Sequence, residues 1–212
     1  MIKAIVFDFD GVILESAKIK TEAFADVVKD YPKQQAEAFV AYHMIHMGIS
    51  RHVKFRYFIE EILKQPYCEE TEQELADRFS DIVFSRIMEC PYVPGAKDFL
   101  DRNYRKYDLY VASGTPKAEL EQIMEGRDLT QYFKQIYGTP MKKEEIVDVI
   151  CHDYGYAKEE MVFVGDAATD KNAAYHTGLK FIGRNTEDNI DAFRDVAYRV
   201  DNLLQMEEMI GE

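Results

Sequence analysis

Lys3 to Ser16, KAIVFDFDGVILES, constrains this chain more than any other stretch. Ala4-Ile5-Val6-Phe7 is an unbroken apolar run with no polar face to offer water, so it predicts a strand buried on both sides of a parallel sheet. Asp8 ends the run. Asp8 and Asp10 then stand just past the carboxyl end of a central strand, where open α/β sheets bind their ligands. Gly11 frees the backbone to turn sharply or to approach a ligand. Two like charges at a buried strand end repel and lose hydration, which is costly unless a cation shares them. The pair therefore predicts a bound divalent metal.

Beyond Ser16 the pattern changes period. From Ala17 to about Cys90 the apolar residues recur at helical spacing, as in Ile19, Ala23, Val27 and Phe55, Phe58, Ile59, Ile62, Leu63. Breaks near Tyr31-Pro32, Gly48 and Gln65-Pro66 divide this region into roughly four helices. Pro91 and Pro94-Gly95 close it. Strand and helix then alternate. Leu109-Tyr110-Val111-Ala112 ends at Ser113-Gly114-Thr115, with Pro116 at a helix start. Ile136-Tyr137 ends at Gly138-Thr139-Pro140, with a helix from about Lys142 to Tyr154. Met161-Val162-Phe163-Val164 ends at Gly165-Asp166, again before a helix. Phe181-Ile182 and Val196-Ala197-Tyr198 are weaker strand candidates. The expected architecture is α/β: a parallel sheet wrapped by helices (1–15 and 91–212), with an α-helical insertion (16–90) after the first strand.

With 212 residues, 47% of them apolar, the chain can bury a real hydrophobic centre. A formal net charge of −13 repels phosphate backbones and anionic lipid heads, so no nucleic-acid or membrane partner is expected. Cys68, Cys90 and Cys151 are scattered, odd in number and form no CxxC pair. They fit a reducing cytoplasm. Neither a leader-like basic and apolar start nor a bilayer-length apolar run is seen, so a soluble, unsecreted protein is expected.

Asp8, Asp10, Ser113, Thr115, Lys143 and Asp166 all lie where apolar runs stop, so one rim of one sheet would gather them. Each piece alone is weak: DxDG occurs in loops, SGT is a common turn and GDxxxD often only caps a helix. A calcium loop fails, because Phe7 and Val12-Ile13-Leu14 are apolar where such a loop needs ligands.

Together these segments resemble the haloacid-dehalogenase (HAD) superfamily of phosphohydrolases, in the branch with a helical cap after the first strand. DFDGV at Asp8–Val12 is similar to its first motif, Ser113-Gly114 to its second, Lys143 to its third, and GDAATD at Gly165–Asp170 to its fourth. They arrive in the family's order and span nearly the whole core. The resemblance implies a Rossmann-like core, Mg²⁺, and hydrolysis of a small phosphorylated metabolite through an aspartyl-phosphate.

In that reading Asp8 attacks phosphorus, Asp10 is general acid and base, Ser113 and Gly114 bind phosphoryl oxygens and Lys143 neutralises their charge. Lys143 is favoured over Lys142 because the family's lysine follows GxP by three residues. The Asp8 carboxylate, the Asp10 carbonyl and Asp166 would hold the metal. Asp170, one turn later, either ligates it or orients Lys143 or a water. Thr115 is either part of the site or a helix cap.

Substrate choice falls to the insertion. Gly48-Ile49-Ser50-Arg51, followed by Lys54, resembles the cap specificity loop of β-phosphoglucomutase-like members, and Arg51 would hold a second anionic or hydroxyl-rich part of the substrate. The bland alternative is a Ser50 cap with solvated Arg51 and Lys54. His43, His46 and His52 do not share one helical face, which argues against zinc. Met44 and Met47 read as core. Glu15 stands where many phosphoglycolate-phosphatase-like members have Asp. Gly11, Ser16 and Val93-Pro94-Gly95 are candidate hinges. Having Asp10 argues against a haloacid dehalogenase, and DFDG differs from the phosphonatase pattern. A phosphatase leads. A sugar-phosphate mutase and a non-catalytic binding or regulatory protein are the alternatives.

Overall fold

A computed structural model describes residues 1–187 and 189–211. Its centre is a six-stranded sheet: β1 (Ala4–Phe7), β2 (Asp108–Pro116), β3 (Gln135–Thr139), β4 (Met161–Gly165), β5 (Lys180–Arg184) and β6 (Tyr198–Val200). Every pairing is parallel, in the order β3-β2-β1-β4-β5-β6. β1 thus lies between β2 and β4. The chain first builds outward on one side of β1, then crosses to the other, and this reversal opens a crevice at the carboxyl end of β1.

The two faces of the sheet feed two apolar layers. Ile5, Phe7, Leu109, Val111, Val162 and Val164 join one, while Ala4, Val6, Tyr110, Ala112, Met161 and Phe163 join the other. Burial on both faces explains why these strands read as continuous apolar runs rather than alternating ones.

Two strands differ from the sequence expectation. β2 continues through Ser113, Gly114 and Thr115 to Pro116, because its register shifts beside β3 after Ala112. β6 begins at Tyr198 rather than Val196. It is an edge strand with an exposed Arg199, so polar residues belong in it, whereas Val196 packs into a core layer just before it.

Between β1 and β2 come α1 (Ala17–Val28), α2 (Lys33–Ile45), α3 (Arg51–Tyr57), a π-helical turn (Phe58–Ile62), α4 (Glu69–Glu89) and α5 (Ala96–Asn103). Buried phenylalanines from α1 to α4 form one cluster: Phe24 lies tilted against Phe79 at 4.2 Å between centroids, and Phe39 stacks on Phe55 at 5.5 Å. Burying each ring contributes roughly 1.5–3 kcal/mol, so this cluster holds the cap together. The remaining helices, α6 (Lys117–Gly126), α7 (Lys143–Tyr154), α8 (Ala168–Thr177) and α9 (Met206–Gly211), cover the sheet. None of the described helices is long and apolar enough to cross a membrane.

The cap is seated on the core. Arg51 at the start of α3 pairs with Glu119 of α6 at 2.7 Å, and Thr169 of α8 donates to the Met47 carbonyl at 3.4 Å. Gly48, at φ +83°, fills the seam: a Cβ there would strike the Thr169 hydroxyl, and a Cβ on Gly114 would lie 2.6 Å from the Gly48 carbonyl oxygen.

Candidate active site

The strand ends bring Asp8, Asp10, Ser113, Thr115, Lys143, Asp166 and Asp170 to one rim. Asp8 follows β1 directly and is buried, its backbone N–H donating to the Val164 carbonyl at 2.9 Å. Lys143, the first residue of α7, reaches in beneath it. Its Nζ lies 2.9 Å from Asp8 Oδ2 and 2.5 Å from Asp170 Oδ1, and all three side chains are almost fully buried. Lys142 is exposed, and its backbone N–H donates to Glu145 Oε2 at 3.1 Å.

Electrostatics follow from that crowding. Burial, and then the charge of Asp170, push the Asp8 carboxyl up to about 7 despite the pull of Lys143. Burial and the charges of Asp8 and Asp170 also raise Asp166 well above the usual carboxylate range, with Lys143 and Arg184 opposing. Lys143 is desolvated too, but its two carboxylate partners more than compensate and hold its proton firmly.

The site has room for a cation. Asp166 Oδ2 is buried and, among the described residues, has no hydrogen-bond partner. Asp8, Asp166 and Asp170 each present an oxygen within 4.8 Å of the others. Gly11, at φ +74°, runs so close that a Cβ would strike Asp166 Oδ2. An all-oxygen set with an orphaned carboxylate suits a hard divalent ion such as Mg²⁺. Asp170 has little to spare for it: Oδ1 accepts from Lys143, and Oδ2 accepts the Ala167 N–H at 2.9 Å.

Asp10 occupies the other side of the crevice, and its carboxylate is outside the acidic group. The Ser16 hydroxyl donates to Oδ1 at 2.7 Å, the Thr115 hydroxyl donates to Oδ2 at 3.1 Å, and Lys20 of α1 forms an ion pair with Oδ2. Burial pushes this carboxyl up, but the charge and hydrogen bond of Lys20, with Ser16 and Thr115, override it and hold it below its ordinary value. Thr115 is therefore a strand residue of the site and not a helix cap. Ser113 is buried beside it, its hydroxyl 3.5 Å from Asp10 Oδ2 and accepting the Thr115 N–H at 3.1 Å.

Several neighbours were not singled out by motif. Lys20 is one, since a lone lysine on an amphipathic helix reads as solvated surface. Arg184 is another: it donates to the Gly11 carbonyl at 2.8 Å and grips Glu15 through both terminal nitrogens, at 3.0 and 2.6 Å, fixing the loop that carries Asp10. Asn189 donates to the carbonyls of Asp166 and Arg184, each at 2.7 Å. None of these has a local sequence signature.

The cap forms the roof. A cavity of about 60 Å³ lies between Asp8, Asp10 and Asp166 below and Lys20, His43, Arg51 and Lys54 above. Met47, read from sequence as core, lines it. Arg51 also lines it, but it is buried, with Nη1 on Ser80 and Nη2 on Glu119. His43 is buried there, His46 is exposed, and His52 pairs with Glu72 at 2.7 Å, so the three histidines do not converge.

Residues 5–184 match the family model of the haloacid dehalogenase-like hydrolases. The chain belongs to that family. Two curated relatives of this haloacid dehalogenase-like hydrolase span comparable lengths. One is a phosphorylated carbohydrates phosphatase of Thermotoga maritima, 23% identical over 85% of this chain and 83% of its own. The other is a phosphoglycolate phosphatase of Aliivibrio fischeri, 25% identical over 84% of this chain and 81% of its own. The fold of this hydrolase is similar to that of a crystal structure from Haemophilus somnus described as a predicted phosphoglycolate phosphatase. That match has a TM-score of 0.80 at 18% identity, covering 99% of this chain and 98% of that one. The superfamily and its helical-cap branch, expected from the four motifs, are thereby established.

Proposed function

We propose that this hydrolase is a Mg²⁺-dependent phosphatase acting on a small phosphomonoester by way of an aspartyl-phosphate on Asp8. The observation that carries the reading is Asp8 itself: a buried carboxylate held 2.9 Å from a buried lysine and next to an orphaned Asp166 oxygen. The two curated relatives, both named as phosphatases of small phosphorylated compounds, support it. Residues 1–15 and 91–212 form the catalytic core in this reading, and 16–90 the cap. With three unpaired cysteines, we assign it to a reducing cytoplasm.

Uncatalysed phosphomonoester hydrolysis is so slow that about 20 kcal/mol or more of barrier lowering is required, chiefly from positioning and charge neutralisation. A carboxylate oxygen of Asp8 attacks phosphorus in line, forming the Asp8 O–P bond as the ester P–O bond breaks. In its protonated form Asp10 gives that proton to the departing oxygen; the carboxylate left behind, which Lys20, Ser16 and Thr115 stabilise, then takes a proton from the water that attacks the phosphoryl group and releases Asp8 with inorganic phosphate. Lys143 keeps Asp8 oriented and balances phosphoryl charge, Ser113 and the Gly114 N–H hold the phosphoryl oxygens, and Asp170 holds Lys143. Mg²⁺, held by Asp8, the Asp10 carbonyl and Asp166, would supply charge neutralisation and a template for the phosphoryl oxygens.

The test is phosphate release from a panel of sugar phosphates and phosphorylated small acids, with and without Mg²⁺, by wild type and Asp8→Asn. Mg²⁺-dependent release lost in Asp8→Asn supports the reading. No release by wild type, or equal release by both, refutes it, and isomer formation without release would identify a mutase instead.

A further inference from the structure

The Asp10 and Asp166 loops follow different strands, β1 and β4, and a residue of neither strand joins them. Arg184, the last residue of β5, is buried, at 9% exposure. Its Nη1 donates to the Gly11 carbonyl at 2.8 Å and to Glu15 Oε2 at 3.0 Å, while Nη2 donates to Glu15 Oε1 at 2.6 Å. Its backbone is tied to the other loop: Asn189 Nδ2 donates to the Arg184 carbonyl and to the Asp166 carbonyl, each at 2.7 Å. One residue thus grips the Asp10 loop with its side chain and is linked to the Asp166 loop through its main chain.

The grip falls on the peptides around Gly11. The Gly11 N–H donates to the Leu14 carbonyl at 2.8 Å. Across a trans peptide the carbonyl oxygen points opposite to the N–H, so the Asp10 carbonyl is turned out of that tight loop. Arg184 holds the next carbonyl along, and the peptides on both sides of Gly11 are then set. Gly11 also lies hard against the orphaned carboxylate, since a Cβ on it would sit 2.0 Å from Asp166 Oδ2. Any displacement of Gly11 changes the gap between the Asp10 carbonyl and the Asp166 carboxylate. Charge alone gives no reason for an arginine here: a guanidinium this near repels a divalent cation, and Glu15 offsets the repulsion. What arginine brings is a planar fork that reaches the Gly11 carbonyl and both Glu15 oxygens at once.

We propose that Arg184 and Glu15 form a positioning clamp for the cation site, setting its affinity by fixing the Asp10 carbonyl relative to Asp166. Mg²⁺ tolerates little distortion of its oxygen shell, so a loosened loop weakens it even when every ligand is still present. This deepens the phosphatase reading and rests on that reading for the ion.

The experiment reads ion binding without turnover. Affinity for Mn²⁺, a paramagnetic ion that shares the hard oxygen ligands of Mg²⁺, is measured by electron paramagnetic resonance on EDTA-stripped protein. Wild type, Asp166→Asn, Arg184→Lys, Arg184→Met and Glu15→Asp are compared, each checked for folding by circular dichroism. Wild type should bind the ion and Asp166→Asn should lose it, which places the ion. Arg184→Lys keeps the charge but not the fork, and groups that orient metal ligands are worth about 10- to 100-fold in affinity, so its Kd should rise at least 10-fold. Arg184→Met removes a repelling charge, so an electrostatic role predicts tighter binding, whereas the clamp predicts a Kd raised by about 10-fold or more. Glu15→Asp preserves every charge and shortens one arm of the clamp at a side chain 35% exposed. Its Kd should rise about threefold or more, a smaller effect of the same kind, and it tests the clamp even where Arg184→Met fails to fold. Unchanged affinity in Arg184→Lys or Glu15→Asp, or unchanged or tighter binding in Arg184→Met, overturns the proposal alone. A wild type that binds no ion, or binds it equally well as Asp166→Asn, refutes the cation of the phosphatase reading and this inference with it.

Discussion

Arg51 of the cap and Glu119 of the core meet at 2.7 Å with side chains only 4% and 13% exposed. A pair this dry exists only while the cap is seated. Glu119→Ala leaves a buried guanidinium with no carboxylate, a change that costs about 3–5 kcal/mol when the partner cannot escape to water. Here it can, by lifting the cap. Small-angle scattering should therefore show a larger radius of gyration for Glu119→Ala, with KM raised at least 10-fold. Unchanged scattering and kinetics would mean that the pair is idle in closure.

Lys143 and Lys142 are neighbours with opposite surroundings. Lys143→Met removes the only side chain bridging Asp8 to Asp170 in the geometry described and should lower kcat/KM by about 10³-fold or more, as loss of a charge-stabilising group does. Lys142→Met alters an exposed chain and should leave activity within about twofold. Steady-state kinetics on the two variants decide the register, and the reverse ranking would move the phosphate-binding role to Lys142.

The acidic group makes cation binding pH-dependent. Asp8 is raised from 3.8 to about 7, so it binds its proton more tightly folded than unfolded. Its contribution favours the folded state in acid and is lost as pH rises from about 4 through 7. Divalent ions displace that proton, so Mg²⁺ binds better once it has left. The gain in Tm on replacing EDTA with Mg²⁺ should be larger at pH 7.5 than at pH 5. A gain independent of pH would indicate that the cation does not sit among Asp8 and Asp166.

Lys20 keeps Asp10 ionised, the form needed to accept a proton from water. In Lys20→Met the carboxyl loses its strongest opponent to burial and its pKa rises. The acid limb of the kcat profile, where Asp10 must be deprotonated as base, should move to higher pH. A pH–rate series on wild type and Lys20→Met tests this, and superimposable profiles would count against it.

Much of the fold was legible because its strands are buried on both faces. Ala4–Phe7 and Met161–Val164 offered no alternation to misread, whereas Tyr198–Val200, at the sheet edge with exposed Arg199, did. The rim residues were legible for a related reason. Asp8, Ser113 and Asp166 stand where an apolar run stops, which is a local signal. Lys20, Lys54 and His43 lie on helices whose polar residues normally face water, and only the seating of the cap turns them inward. Arg184 and Glu15 are joined across most of the chain, and nothing in the immediate neighbourhood of either forecasts the other.

Gly48 and Gly114 cross where cap and core come nearest, and one methyl on Gly114 would already collide with the other's backbone oxygen. At this crossing the two lobes have no slack, so their histories of change are tied together: either lobe can diversify its chemistry, but only in ways that leave a bare backbone for the other to rest against.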